Sequence, residues 1–305
     1  MYSPITIDAL RTLDAIDRRR SFAAAAEELY RVPSAISYTI SKLEEDLGVE
    51  LFDRSRRKAE LTAVGRLILE QGRQILVATE ELTALAKQTD EGWETELRIC
   101  IDSLINCEPV YDLIEQFQKL QPRTELRLTE EVLGGSWDAL NSEQCDLVIG
   151  AEGDPPSQGF GIHLLGQVEF VFAVSASHPL TDMQQPISLQ AIQDYPTVVV
   201  TDSSRYLPVR STGLLDGRSR IAVSSIEHKI AAQIRGLGVG YLPKFRIKKE
   251  LEEGTLKQLM LAETRSPRSI SIAWRNTSKG KGVQWFVSQL RQMVFDQDSG
   301  LQRPK

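Results

Sequence analysis

Cysteine and histidine are nearly absent from this 305-residue chain, which has three of each. Cys100, Cys107 and Cys145 are too few, and odd in number, for a disulfide framework, and Cys100 and Cys145 read as packing residues. His163, His178 and His228 are too widely spaced for an HExxH site or a Cys/His finger, so no metal and no cofactor is expected. The P-loop and the GxSxG elbow are missing. Gly236, Gly238 and Gly240 imitate a nucleotide-binding run, but they follow a helical stretch and precede a strand, the reverse of the order such a site needs. Catalysis is therefore not expected. No apolar run nears the roughly 18 residues of a membrane span. The opening MYSPITIDAL has neither the basic segment nor the apolar core of an export signal, which points to the cytoplasm. Positive charge is not in excess either: the net charge is −6, and the first 65 residues hold ten Lys/Arg against eleven Asp/Glu. Taken alone, that balance argues mildly against a nucleic-acid binder.

What is present is patterned. Hydrophobic residues make up 41% of the chain and charged ones 26%, a globular composition with length for more than one domain. Residues 21–52 spell two short helices joined by a tight turn. Ser21 suits the N-cap of the first, whose run Ala23, Ala24, Ala25, Ala26 permits close approach of a partner helix. Pro33 suits the first turn of the second. At 3.6 residues per turn, Ile36, Ile40, Leu43 and Leu47 fall on one face of that second helix. Ser34, Tyr38, Ser41 and Glu45 fall opposite, flanked by Ser37 and Lys42. An anchored helix with a small, polar outer face fits a helix-turn-helix whose second helix enters the DNA major groove. It also fits a helical hairpin packed on its own domain. Arg54, Arg56, Arg57 and Lys58 follow within five residues, placed as a basic wing would be to touch phosphates or a minor groove.

A first helix over residues 6–17, with Ile7, Leu10, Leu13 and Ile16 facing inward, completes a three-helix unit. Beyond it, residues 63–89 contain no proline, and Ile68, Ile75 and Leu82 recur every seventh position. Val64, Gln71, Ala78 and Leu85 interleave with them to give a heptad-like seam, as in a long helix that pairs with a second copy. From Glu96 onward short apolar runs alternate with helical stretches: LRICI, a helix at 109–120, LRLTE, a helix at 136–142, and DLVIG. This βαβαβ rhythm predicts a parallel sheet covered by helices. A second block follows: VEFVFAVS, a helix near 188–194, TVVVTD, RIAVS, a helix at 226–235, and VGYLP. The stretch 154–161 reads as the crossover between blocks, and a strand at 269–275 and a helix at 282–295 close the sequence. Two such lobes place a ligand cleft at the carboxyl ends of their strands. The candidate contacts there are Asp102, Ser103, Thr201, Ser203, Arg205 and Ser225, and helix starts among them favour anionic ligands.

Together these residues resemble the LysR-type transcriptional regulators along the whole chain. The N-terminal signature is carried by Ser21, Phe22, Ala25, Ala26, Leu29, Pro33, Ser37, Ile40, Leu43, Glu44, Leu47, Gly48, Leu51, Phe52, Arg54, Leu61, Thr62 and Gly65. C-terminal matches are Cys145 to Ile149, His178 to Leu180, and Gly236 to Gly238 leading to Leu242 and Pro243. Segments VPSAISYTISKLEE, LFDRS, GWET and EVLGGSWD look like the family's YhaJ-like branch.

The resemblance implies an α/β chain in three parts: an all-α winged helix-turn-helix (1–63), a linker helix for dimerisation (64–90), and an effector-binding domain (91–298). That last part would have a fold similar to periplasmic binding proteins, with subdomain I at about 94–159 and 269–298 and subdomain II at about 160–268. It further implies a homotetramer built as a dimer of dimers, double-stranded DNA with interrupted inverted repeats of T-N11-A type, contact with RNA polymerase, and control by a small effector. The expected DNA contacts are Ser21, Arg31, Val32, Pro33, Ser34, Ser37, Tyr38, Ser41, Lys42, Arg54, Arg56 and Arg57. Many members have glutamine where this chain has Val32 and arginine where it has Tyr38. Both are stronger base-edge readers, so a different sequence preference is expected.

Overall fold

The computed structural model describes residues 4–53, 59–210, 215–263 and 265–303. The chain divides between Gln88 and Thr89 into two compact units. In the first, α1 (Ile7–Arg19) starts at Thr6, whose hydroxyl accepts from the Ala9 N–H. α2 (Phe22–Glu28) starts at Ser21, which accepts from Ala24 in the same way, and its Ala25 and Ala26 are wholly buried. α3 (Pro33–Leu47) has Pro33 at its first position but no side-chain cap, because Val32 has none to offer. It ends on Gly48 in the left-handed conformation, with Val49 N–H bonding back to the Glu44 carbonyl, a closure that favours glycine. Ile36, Ile40 and Leu43 are buried against Leu13, Ile16, Leu51 and Phe52.

Strands β1 (Phe52–Asp53) and β2 (Glu60–Leu61) pair antiparallel as the base of a ribbon. Its tip, with Arg54, Arg56, Arg57 and Lys58, lies outside the described residues. Helix α4 (Ala63–Asp90) is capped by Thr62, which accepts from the Gly65 N–H at 3.0 Å. Its two glycines are the points of closest approach. A Cβ on Gly65 would lie 2.2 Å from the Leu51 carbonyl oxygen, and one on Gly72 would lie 2.6 Å from a Leu10 methyl. Backbone cannot yield as a methyl can. Gly65→Ala is therefore expected to destabilise the N-terminal unit by about 1–3 kcal/mol, and Gly72→Ala by less, on denaturant titration. Exposed Val64, Ile75 and Leu82 lie about 100° around the helix from Gly65, Leu69 and Gly72. Val64, Ile75 and Leu82 of the heptad seam thus stand off the packing face, whereas Ile68 packs against the core of this unit.

The second unit holds two lobes. Lobe I is a five-stranded sheet, ordered β4-β3-β5-β12-β6. Its strands are β3 (Glu96–Asp102), β4 (Glu125–Glu131), β5 (Leu147–Glu152), β6 (Phe160–Val168) and β12 (Arg268–Arg275). The first three are parallel, while β12 runs antiparallel to both β5 and β6. Helices α5 (Glu108–Leu120), α6 (Gly135–Asn141) and α10 (Lys281–Leu290) complete it. Lobe II contains β7 (Phe170–Ser175), α7 (Leu189–Ile192), β8 (Pro196–Val200), β9 (Ser219–Val223), α8 (Ile226–Ile234), β10 (Gly240–Pro243), α9 (Lys248–Glu252) and β11 (Leu256–Leu259). β7 is central, antiparallel to both β10 and β11, and β8 pairs with β9 in parallel.

Three expectations change. β6 occupies residues 160–168 and belongs to lobe I, so the chain crosses after Val168 and not near residue 160. The interruption of its alternation by Gly161 and Gly166 hides this strand, and Gly161 is required because the Trp274 indole lies over it. The last helix stops at Leu290, not 295, and β13 (Val294–Asp296) forms a hairpin with β14 (Gly300–Gln302). Asp296 accepts from the N–H groups of Asp298 and Ser299, a turn device that ends helical propensity locally. β11, with its LKQL sequence, has too little apolar content to be read as a strand.

Candidate nucleic-acid interface and ligand cleft

The outer face of α3 is open. Val32 is 62% and Tyr38 70% exposed, and Ser34, Ser37, Ser41 and Lys42 are exposed beside them. The helix is held from below by the apolar side chains and by buried Glu44, whose Oε1 accepts from the Leu51 N–H (2.7 Å) and the Phe52 N–H (3.2 Å). That carboxylate ties α3 to the start of the wing. Arg31 pairs with Asp8 at 2.8 Å, and Lys42 with Asp46 at 2.8 Å and Glu45 at 3.3 Å. All are solvent-exposed pairs, weak because water screens them, so a phosphate can displace the carboxylates. Ser21 uses its oxygen as a cap acceptor for α2, leaving its O–H to donate elsewhere. Tyr30 escaped notice in the sequence. It occupies the turn between α2 and α3 in the left-handed region at φ 53 and is 97% exposed. The signal was present as a large aromatic at a turn position that glycine would fill at less cost.

The second unit encloses a cleft where its two lobes meet. Lobe I supplies Asp102 at the end of β3 with Ser103 and Leu104 after it, Val132 and Leu133 after β4, and Glu152 at the end of β5. Lobe II supplies Phe170, Val200, Ile226, Lys229 and Tyr241, and Arg265 comes from the return crossover. The space is about 40 Å³ in this arrangement, room for water, so a metabolite enters only when the lobes part.

Of the six residues expected here, Asp102 and Ser103 line the cleft. Ser225 caps α8, accepting from the His228 N–H, and Thr201 is exposed just beyond Val200. Ser203 accepts from the Val132 N–H at 2.8 Å and donates to Glu131. Arg205 gives its backbone N–H to Asp138 and reaches Gln144 with its side chain. These four lie outside the lining residues.

The charges in the cleft are unusual. Burial above all, with the nearby Glu152 charge, pushes the Asp102 carboxyl well above the ordinary carboxylate range. Glu152 is paired with Arg268 at 3.0 Å. Burial and then the Arg265 charge lower the Lys229 ammonium to about 7. Arg265 is lowered to about 10 by burial and then by Arg268. Its guanidinium lies 4.1 Å from the Phe170 ring centre and 5.5 Å from that of Tyr241. Across the lobes, Arg246 donates through Nη1 to the carbonyls of Ser103, Leu104 and Ile105 at 2.9–3.2 Å. None of Lys229, Arg265 and Arg246 carried a local sequence cue, since each takes its role from partners far away in the chain.

Two family models match. The bacterial regulatory helix-turn-helix protein, lysR family, covers residues 7–66, and the LysR substrate binding domain covers residues 90–294. The chain belongs to the LysR family. It is similar to two Escherichia coli K12 proteins: a probable HTH-type transcriptional regulator, YhaJ, 39% identical over 94% of this chain and 96% of that one, and an uncharacterized regulator, YeeY, 38% identical over 93% and 92%. Among solved structures it resembles a Corynebacterium glutamicum OxyR C206 mutant (TM-score 0.59, 20% identical, 94% of this chain and 91% of that one). CbnR is also similar (0.53, 20%, 93% and 99%). These LysR-family matches agree with the helical N-terminal and α/β C-terminal units. The protein is a DNA-binding transcriptional regulator and not an enzyme. No helix among its described residues is long and apolar enough to cross a membrane.

Proposed function

We propose that this LysR-family chain is a cytoplasmic regulator whose grip on DNA is set by a small effector held between the lobes of its C-terminal unit. The observation that carries this reading is the pairing of an exposed polar face on α3 with a buried, charged cleft in a separate unit. Residues 1–63 read DNA, 64–90 pair two copies, and 91–298 bind effector. On α3, Ser34, Ser37, Tyr38 and Ser41 face base edges, with Val32 and Pro33 at its entry. Ser21, Arg31, Lys42, Arg54, Arg56 and Arg57 take phosphates or the minor groove. Asp102 and Ser103 contact effector directly, and Thr201, Ser203, Arg205 and Ser225 shape the neighbouring loops.

The exposed seam of Val64, Ile75 and Leu82 supports pairing with a second copy, and dimers pair further into a tetramer on interrupted inverted repeats. Effector control requires unequal affinity for the open and closed lobes. RNA polymerase is the partner through which the bound regulator acts on transcription.

A gel-shift titration across promoter fragments at several salt concentrations tests this. A salt-sensitive specific complex is expected, and its absence overturns the reading. Tyr38→Ala is expected to cut the ratio of specific to non-specific binding, by about 1–3 kcal/mol. Arg56→Ala is expected to weaken all sequences alike and reduce the salt slope by about 1. The reverse pattern would mean that the two residues have exchanged roles.

A further inference from the structure

The cleft holds a buried lysine without a partner beside a half-buried arginine. Lys229 is 8% exposed and lines the cleft from α8. Nothing among the described residues pairs with its ammonium, and the one charge acting on it, that of Arg265, repels it. Arg265 Nη2 is buried with no hydrogen-bond partner. Of the nearby acids, Glu152 pairs with Arg268 and offsets Arg265 only in part, and Asp102 accepts from the Leu104 N–H and the Ser136 hydroxyl. Two like charges brought together in a largely buried site are costly unless an anion joins them. Leu104, Val132, Phe170, Val200 and Ile226 make the rest of the lining apolar, and Phe170 and Tyr241 carry the guanidinium on their rings.

We propose that the effector is a small apolar monocarboxylate, its carboxylate bridging Lys229 and Arg265 and its single ring or branched aliphatic body lying against Phe170, Tyr241 and Val132. This rests on the effector-controlled reading above and names the ligand class for that cleft. An amine would meet two cations there. A dicarboxylate would place its second charge among the apolar side chains.

The arrangement also predicts a proton. Lys229, with Arg265, Asp102, Glu152 and Tyr241 beside it in the cleft lining, sits at about 7 when no anion is bound. A bridging carboxylate favours the charged form, so binding takes up a proton above neutral pH and weakens as pH rises through 7 and beyond. In the free protein the sign is opposite. The folded state binds its Lys229 proton less tightly than the unfolded chain does, so this group makes stability rise with pH from about 7 toward the ordinary lysine value of 10.5.

The test uses the full chain with benzoate and isovalerate as probes, against benzamide, isovaleramide and benzylamine, read by thermal shift and calorimetry. The acids are expected to raise the melting temperature, whereas the amides and the amine do not. Lys229→Met is expected to stay folded with a melting temperature equal to or above the parent's. It should lose about 10- to 100-fold in acid affinity, the range for a charge-assisted hydrogen bond. Calorimetry of the parent at pH 8 in buffers of different ionisation enthalpy should show uptake approaching one proton per acid bound. Amides binding as well as acids, Lys229→Met retaining full acid affinity, or binding without proton uptake would each overturn the anion clamp. If amides bind and a cavity-filling Val132→Trp abolishes their binding, the cleft remains an effector site for an uncharged ligand. If no probe of either kind binds, the effector reading of the cleft falls together with the clamp.

Discussion

Replacing Glu44 with leucine is expected to abolish DNA binding while the C-terminal unit stays folded. The Glu44 carboxylate is buried under α3 and receives both the Leu51 and Phe52 backbone N–H groups. Leucine fills similar space and leaves both donors without an acceptor. Each orphaned buried N–H costs about 1–3 kcal/mol, so the N-terminal unit loses about 2–6 kcal/mol, a large share of a small domain's stability. Glu44→Gln keeps an Oε1 acceptor and is expected to recover most of that loss. Two-transition melting followed by circular dichroism, beside gel shift, separates the outcomes. If glutamine proves as damaging as leucine, acceptance of those N–H groups is not the reason for the acid.

Arg246→Met should loosen the junction between the lobes. One guanidinium nitrogen holds three consecutive carbonyls, those of Ser103, Leu104 and Ile105, and the side chain is only 14% exposed. Methionine preserves the buried stem and removes every donor. Charge-assisted bonds of this kind are worth about 2–4 kcal/mol together, which in a unit of this size lowers the melting temperature by on the order of 10 °C. The amides of Leu104 and Ile105, bonded to Asp102, should exchange faster with solvent because the loop loses its clasp. Unchanged exchange at those two amides would show that the clasp is not what orders the loop.

Much of this molecule is written locally. Ser21, Pro33 and Gly48 mark helix ends by caps and backbone preference, and α4 keeps its heptad pattern from end to end. In the βαβαβ rhythm of lobe I, β3 and β5 are buried on both faces and read as continuous apolar runs, whereas the edge strand β4 is read from its alternation. What escaped has non-local causes. β6 is an edge strand that owes its place to β12, more than a hundred residues later. In the cleft, the hydroxyls chosen from sequence were good cap and turn residues, and the fold uses several of them in that capacity. Ser225 caps α8, and Ser203 receives the Val132 N–H. Lys229 looked like any helix lysine. Only the close packing of β7, β10 and the return crossover around it turns a surface residue type into a buried charge.

The separation of faces on α4 has a genetic consequence. Gly65, Leu69 and Gly72 belong to the fold of one chain, whereas Val64, Ile75 and Leu82 stand free for another. With the free face as the pairing surface, an allele altered at Tyr38 would still enter mixed oligomers and silence the intact subunits beside it, behaving as dominant. An allele altered at Leu82 would be excluded from them and behave as recessive.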